Sequence, residues 1–289
     1  MRYVKMLSVI VIMLAACSQR DFDDRPVITT SILPQKFIVE RIAGEQFRIN
    51  VLVPPGANHE TYEPTPVQMQ DVAKSLIYFR IGFLDFERTI LQDISRGSDN
   101  LLVIDTAEGM DMLAAEIVDH GDHVHLYGVD PHIWLSPPAV RVQADNITGA
   151  LIEADPGNRD YYLDNYSRFV AELDHLHESF TEKFSDVKRR TFLIFHPALG
   201  YFARDYNLIQ ISIEEEGKNP SAANMKRIVD LARKEDLRDV LIQMEFERES
   251  ARAVARELGG EVVEINPLAE NWLETMKDIA GKLFTILNK

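Results

Sequence analysis

Eight histidines carry most of the chemistry available to this sequence: His59, His120, His123, His125, His132, His175, His177 and His196. Three of them sit beside or shortly after prolines that turn the chain. His59 closes Pro54-Pro55-Gly56-Ala57-Asn58-His59, His132 lies in Asp130-Pro131-His132-Ile133-Trp134, and His196 stands before Pro197. Neutral imidazole nitrogen suits zinc, copper, nickel and iron better than magnesium or calcium. Zinc accepts nitrogen and oxygen donors tetrahedrally at ~2.0–2.2 Å. Cys17 is the only cysteine. If it carries lipid, no disulfide, thiolate nucleophile or cysteine-ligated metal remains. Three histidines and one oxygen donor would then be a reasonable zinc shell. A single loop histidine is ordinarily solvated, so the weight rests on how the three are positioned.

Positioning requires an alternation of strands and helices. Apolar, β-branched runs at 27–33, 48–53, 76–81 and 101–105 read as strands, with helices at 34–43, 67–74 and 83–94. The plan repeats with strands at 191–195, 208–213, 240–244 and 262–265. Helices follow at 199–205, 222–234, 249–258 and 270–287. Residues 155–188 give one long helix between the halves, with aromatic and leucine residues at helical spacing. The expected fold is α/β: two lobes, each a mostly parallel four-stranded sheet covered by helices, joined by one long rigid helix. The expected divisions are a lipoprotein signal peptide at 1–17, a tether at 18–26, an N-terminal lobe at 27–154, a linking helix at 155–189 and a C-terminal lobe at 190–289. His59 and His196 then follow the carboxyl ends of strands, one in each lobe, where open parallel sheets bind ligands. Two facing lobes would bring them to one cleft.

The formal net charge is −15, from 31 basic and 46 acidic residues, and no basic patch relieves it. Such a chain repels nucleic acid and anionic lipid surfaces. Arg2 and Lys5 precede a short apolar run at 6–14, too short to span a bilayer of ~30 Å as a helix. Leu14-Ala15-Ala16-Cys17 resembles a bacterial lipobox, in which cleavage before the cysteine leaves a lipid-bearing thiol. The expected place is the bacterial cell envelope, tethered by Cys17 and facing away from the cytoplasm. A plain secretory peptide is the alternative.

Three motifs resemble those of the zinc- and manganese-type solute-binding lipoproteins of bacterial ABC importers, most of all the zinc-uptake, ZnuA-like branch. They are Pro55-Gly56-Ala57-Asn58-His59-Glu60-Thr61-Tyr62-Glu63-Pro64-Thr65-Pro66, Asp130-Pro131-His132-Ile133-Trp134-Leu135-Ser136-Pro137 and Phe195-His196-Pro197-Ala198-Leu199-Gly200-Tyr201-Phe202. The resemblance runs over essentially the whole chain after the lipobox. It implies metal held between two lobes, with His59, His132 and His196 as ligands. It also implies a permease and its ATPase as partners, and zinc rather than manganese as the transported ion. One departure matters. The family often places an aspartate after the last strand, and Asn266 stands there. Water with Asn266 nearby is the first expectation for the fourth position, with Glu60 as another oxygen donor. The missing aspartate weakens manganese, which favours carboxylates.

Other runs are open or bland. His120, His123 and His125 form a short tract that is either an auxiliary capture loop or a polar surface loop. His175 and His177 are two apart on a helix, point apart, and read as surface residues. The acidic run 214–216 reads as a solvated turn, and Glu245, Glu247 and Glu249 likewise. The leading expectation is a non-catalytic, monomeric zinc-binding component of an importer. A manganese- or iron-type lipoprotein or an adhesin is the first alternative. A three-histidine zinc hydrolase is a weaker one, since no H-E-x-x-H helix or G-x-S-x-G elbow is present.

Overall fold

The computed structural model describes residues 23–94, 101–114, 116–119, 124–214 and 220–289. The expected signal segment and the start of the tether lie outside the described residues. The first half runs β1 (Val27–Thr30), α1 (Leu33–Ala43), β2 (Arg48–Val51), α2 (Pro66–Ala73), β3 (Ile77–Arg80), α3 (Asp85–Ile94) and β4 (Leu102–Asp105). These strands form one parallel sheet in the order β2-β1-β3-β4. After two further strands, β5 (Glu116–Asp119) and β6 (Val124–Tyr127), come α4 (Pro137–Ala154) and α5 (Arg159–Ser185). The second half adds β7 (Thr191–Ile194), α6 (Gly200–Asp205), β8 (Ile209–Ser212), α7 (Ala222–Lys234), β9 (Val240–Gln243), α8 (Arg248–Leu258), β10 (Val262–Ile265) and α9 (Trp272–Asn288). Its parallel sheet has the order β10-β9-β7-β8. The two-lobe α/β architecture is therefore present, with helices on the sheets.

Local chemistry sets the element ends. Thr65 caps α2 by a reciprocal capping box with Gln68, and Pro66 supplies the first turn without an orphaned N–H. Ser136 caps α4 by accepting from the Ala139 N–H, again followed by proline. Gly259 ends α8 in the left-handed conformation. The sequence did not suggest the β5–β6 pair, an antiparallel hairpin with Val118 opposite His125. Of the tract from His120 to His125, His125 lies on β6, while His120 and His123 lie outside the described residues.

The lobes share a core. The 27-residue α5 is about 40 Å long at 1.5 Å per residue. It packs on α1 and α4 of the first lobe, while Phe180 and Phe184 meet Phe202 and Tyr206 of the second. Phe37 of α1 touches both Phe169 of α5 and Trp272 of α9, so three helices from different parts of the chain meet. Trp134 and Trp272 are fully buried and lock the lobes by main-chain hydrogen bonds. The Trp134 indole N–H donates to the Pro267 carbonyl at 3.0 Å, and the Trp272 indole N–H donates to the Trp134 carbonyl at 2.6 Å. Ser136, at the start of α4, donates to the Asp205 carboxylate at the end of α6.

This tie is testable. Trp272→Phe keeps most of the ring but strips the Trp134 carbonyl of its buried donor, which should cost ~1–3 kcal/mol. Trp272→Ala adds a cavity and should cost ~3–5 kcal/mol. Urea midpoints at constant slope measure both. Stabilities of both variants equal to that of wild type would show that the indole hydrogen bond and the ring packing do not hold the lobes together.

Candidate metal centre

His59, His132 and His196 meet between the lobes, each nearly withdrawn from solvent. The Nε2 atoms of His59 and His132 stand 3.2 Å apart, and those of His196 and His132 likewise. The ring centroids lie 5.0 to 6.4 Å apart with the rings steeply inclined. Donors ~2.05 Å from a tetrahedral zinc are separated by about 3.3 Å along each edge. The His59–His132 and His132–His196 pairs each match one such edge.

Each histidine-bearing segment is fixed by its own sequence. The chain leaves β2 through Pro54 to Ala57, where the Ala57 N–H reaches the Pro54 carbonyl and Gly56 takes a positive φ of 80°. That turn delivers His59. Asn58 accepts from the Glu60 N–H at 2.8 Å, an Asx turn that aims the Glu60 carboxylate inward. Glu60 Oε1 lies 3.3 Å from His196 Nε2. One ligand atom from each of Glu60, His132 and His196 falls within 4.8 Å of the others. His59 joins this group through His132.

Two carboxylates set the tautomers. Asp130 Oδ1 accepts from both the backbone N–H and the ring Nδ1 of His132, at 2.9 and 2.7 Å. Gly200 allows this carboxylate to pack closely, since a Cβ there would stand 2.5 Å from Asp130 Oδ2. Glu214 Oε2 lies 2.6 Å from His196 Nδ1. Ionised carboxylates only accept, so both Nδ1 atoms carry hydrogen and both Nε2 lone pairs face inward. Two lone pairs 3.2 Å apart repel unless a proton or cation lies between them. This donor set therefore fits a metal by its own chemistry.

Electrostatics separate the three rings. Burial pushes His59 well below its usual value, and the neighbouring His132 and His196 push the same way. Its Nδ1 is buried without a hydrogen-bond partner. Burial would also depress His196, but the Glu214 hydrogen bond and the charges of Glu60, Glu214 and Asp130 outweigh it and raise the ring. Phe246 stacks on His196 at 4.8 Å and 15°, and Trp134 packs edge-on to His59 at 5.4 Å. These rings exclude water from the imidazoles.

Some expected residues behave differently. Glu214, read from sequence as part of a solvated turn, is 8 % exposed and holds His196; 215–219 lie outside the described residues. Its position two residues past β8 was the available signal. His177 is half-buried, with Nδ1 3.2 Å from the Tyr206 hydroxyl, while His175 is exposed. Asn266 follows β10, half-buried, and its carbonyl accepts from the Ala269 N–H. His125 lies on β6.

A family model described as "Zinc-uptake complex component A periplasmic" matches residues 28–285. The chain belongs to this family. A crystal structure of ZnuA is 39 % identical, superposes with a TM-score of 0.84, and covers 91 % of this chain and 100 % of its own. A ZnuA deletion mutant crystallised with zinc is 38 % identical at the same TM-score, covering 92 % of this chain and 99 % of its own. The high-affinity zinc uptake system protein ZnuA of Bacillus subtilis is 23 % identical, over 85 % of this chain and 79 % of its own. Among the described residues no helix is long and apolar enough to cross a membrane.

The carboxylates behind the imidazoles generate a prediction. Glu214→Ala leaves His196 in place but frees its ring to rotate and lowers its basicity. Zinc affinity should fall about 10–100-fold with little change in thermal midpoint, measured by chelator competition. Unchanged affinity would deny Glu214 any orienting role.

Proposed function

We propose that the protein captures zinc between its lobes through His59, His132 and His196, with Glu60 as the oxygen donor, and delivers it to an ABC permease driven by a separate ATPase. The observation that carries this reading is the convergence of buried Nε2 lone pairs at tetrahedral-edge spacing, two of them held inward by carboxylates. Membership of the zinc-uptake family supports it, and the zinc-bound ZnuA relative shares the fold. Three neutral nitrogens and one carboxylate suit zinc better than manganese, which prefers an oxygen-rich shell.

The same donor set favours binding over catalysis. A catalytic zinc keeps an open position for water or substrate, whereas here a fourth protein donor is within reach. Asn266 then stands beside the site without filling it. Cys17 supplies the lipid tether on the outer side of the membrane, the protein acts as a monomer, and the tract holding His120, His123 and His125 offers an auxiliary meeting point for the ion. Globomycin, which blocks lipoprotein signal cleavage, tests the tether by the size of the accumulating precursor.

Competition against a chelator tests the centre itself. The wild-type chain should take one zinc tightly and manganese weakly. His196→Ala should lose zinc affinity by two orders of magnitude or more, because it removes a nitrogen and leaves Glu214 unpaired. Equal binding of manganese, or an unaffected variant, would overturn the assignment.

Protons compete for the same lone pairs. His196 is held above the usual imidazole value of ~6.5, so it gains a proton as pH falls through a range beginning above that value. That proton must leave before zinc binds. Zinc affinity should therefore be greatest on the alkaline side and fall as pH drops from about 8 to 6. A flat profile over that interval would contradict imidazole ligation.

A further inference from the structure

The carboxyl ends of β7 and β9 lie side by side where the strand order of the second sheet reverses, the crevice in which such sheets hold ligands. His196 follows β7. Gln243, the last residue of β9, donates its side-chain N–H to the His196 carbonyl at 2.8 Å. Two residues later stands Glu245, followed at once by Phe246, whose ring stacks on His196. Glu245 is thus carried by a segment pinned to the metal centre on both sides.

Its carboxylate is poorly served by the protein. Oε1 is fully buried and has no hydrogen-bond partner. Leaving a buried charged oxygen unpartnered costs more than leaving a neutral one. Burial is also the main reason its carboxyl lies above the usual range; its own backbone N–H and the charge of His196 act against this, and Glu60 adds to it. The group therefore feels the charges of two members of the centre. The ligand atom already grouped with His132 and His196 is Glu60's, and Glu245 is not in that group.

The neighbouring strand explains why such a group is useful. β10 pairs in parallel with β9, with Ile265 opposite Gln243, and the Met244 N–H donates to the Ile265 carbonyl. Asn266 and Glu245 therefore leave adjacent strand ends one step out of register. An amide at Asn266 offers no negative charge, while Glu245 does. We infer that Glu245 is a second carboxylate donor of the metal site, turning its buried oxygen onto the bound divalent cation from β9 in place of an acid on β10. This inference rests on the zinc reading above and adds a residue and a charge to it.

Glu245→Gln is isosteric and removes only the charge. In the full chain, chelator competition should show zinc affinity lowered about tenfold. Zinc-edge X-ray absorption should lose one oxygen neighbour relative to wild type. The metal-free thermal midpoint should be equal to or above that of wild type, because an unpartnered buried charge has gone. Asn266→Ala, measured in parallel, should bind zinc as wild type does. Unchanged zinc affinity in Glu245→Gln overturns the inference, as does a fall in the metal-free midpoint that accounts for the lost affinity. Intact zinc binding in His196→Ala sinks the underlying metal assignment instead, so the two failures are distinguishable.

Discussion

Three imidazoles buried between the lobes, with His132 Nε2 3.2 Å from the Nε2 atoms of both His59 and His196, are the constraint on which this structure turns. Alone, the arrangement is unfavourable: the nitrogens repel, the rings are desolvated, and the His59 Nδ1 has no partner. Something must hold the rings there before an ion arrives. Asp130 and Glu214 do so for two of them, each spending an anionic oxygen on the Nδ1 side so that Nε2 stays free. The third, His59, is held by packing against Trp134 and by the proline turn that precedes it. The difference shows in basicity, with His59 depressed and His196 raised.

Preorganisation of this kind needs stiff lobes. His59 and His132 come from the first half of the chain and His196 from the second, so any drift between lobes would pull the nitrogens off their 3.2 Å spacing. The shared core prevents that drift. Phe37, Phe169 and Trp272 join α1, α5 and α9, and the two tryptophan indoles cross-link the lobes through main-chain carbonyls that would otherwise be orphaned. Trp134 serves both tasks. It lies two residues after His132, packs on His59, and accepts the Trp272 hydrogen bond. The ligand geometry and the lobe interface are therefore set by the same residues.

The sequence made the lobes legible because strands at 4-residue cores and helices with proline or glycine punctuation obey local rules. Pro66 and Gly259 mark their helix ends by chemistry that needs no neighbour. The convergence of the three histidines was foreshadowed by position, since His132 and His196 stand beside prolines and His59 follows the Pro54-Pro55-Gly56 turn after a strand. Glu60 could be named as an oxygen donor but stood behind water and Asn266, because its aim depends on the Asn58 turn and on His196 of the other lobe. Glu214 was read the wrong way. An acidic run is normally solvated, and only the tertiary placement of His196 beside β8 makes its first residue a buried partner. The β5–β6 hairpin escaped for a related reason: two four-residue strands separated by a polar tract carry too little alternation to distinguish them from a loop.

A site so buried and so well prepared raises the question of how the ion leaves. Opening the lobes would expose Trp134 and Trp272 and break both indole hydrogen bonds, which makes wholesale separation costly. The ligands themselves hang on shorter levers. Glu60 and His59 share one loop after β2, and only Glu60 retains substantial exposure, with about a third of its side chain open to solvent. In the proposed site, moving that loop alone would remove one nitrogen and one oxygen from the ion while the carboxylate-held pair, His132 and His196, stayed in place. Two remaining nitrogens bind zinc far less tightly than a complete shell. On the proposed assignment, the division between two rings locked by carboxylates and one ring held only by packing would separate the part of the site that recognises the ion from the part that can let it go.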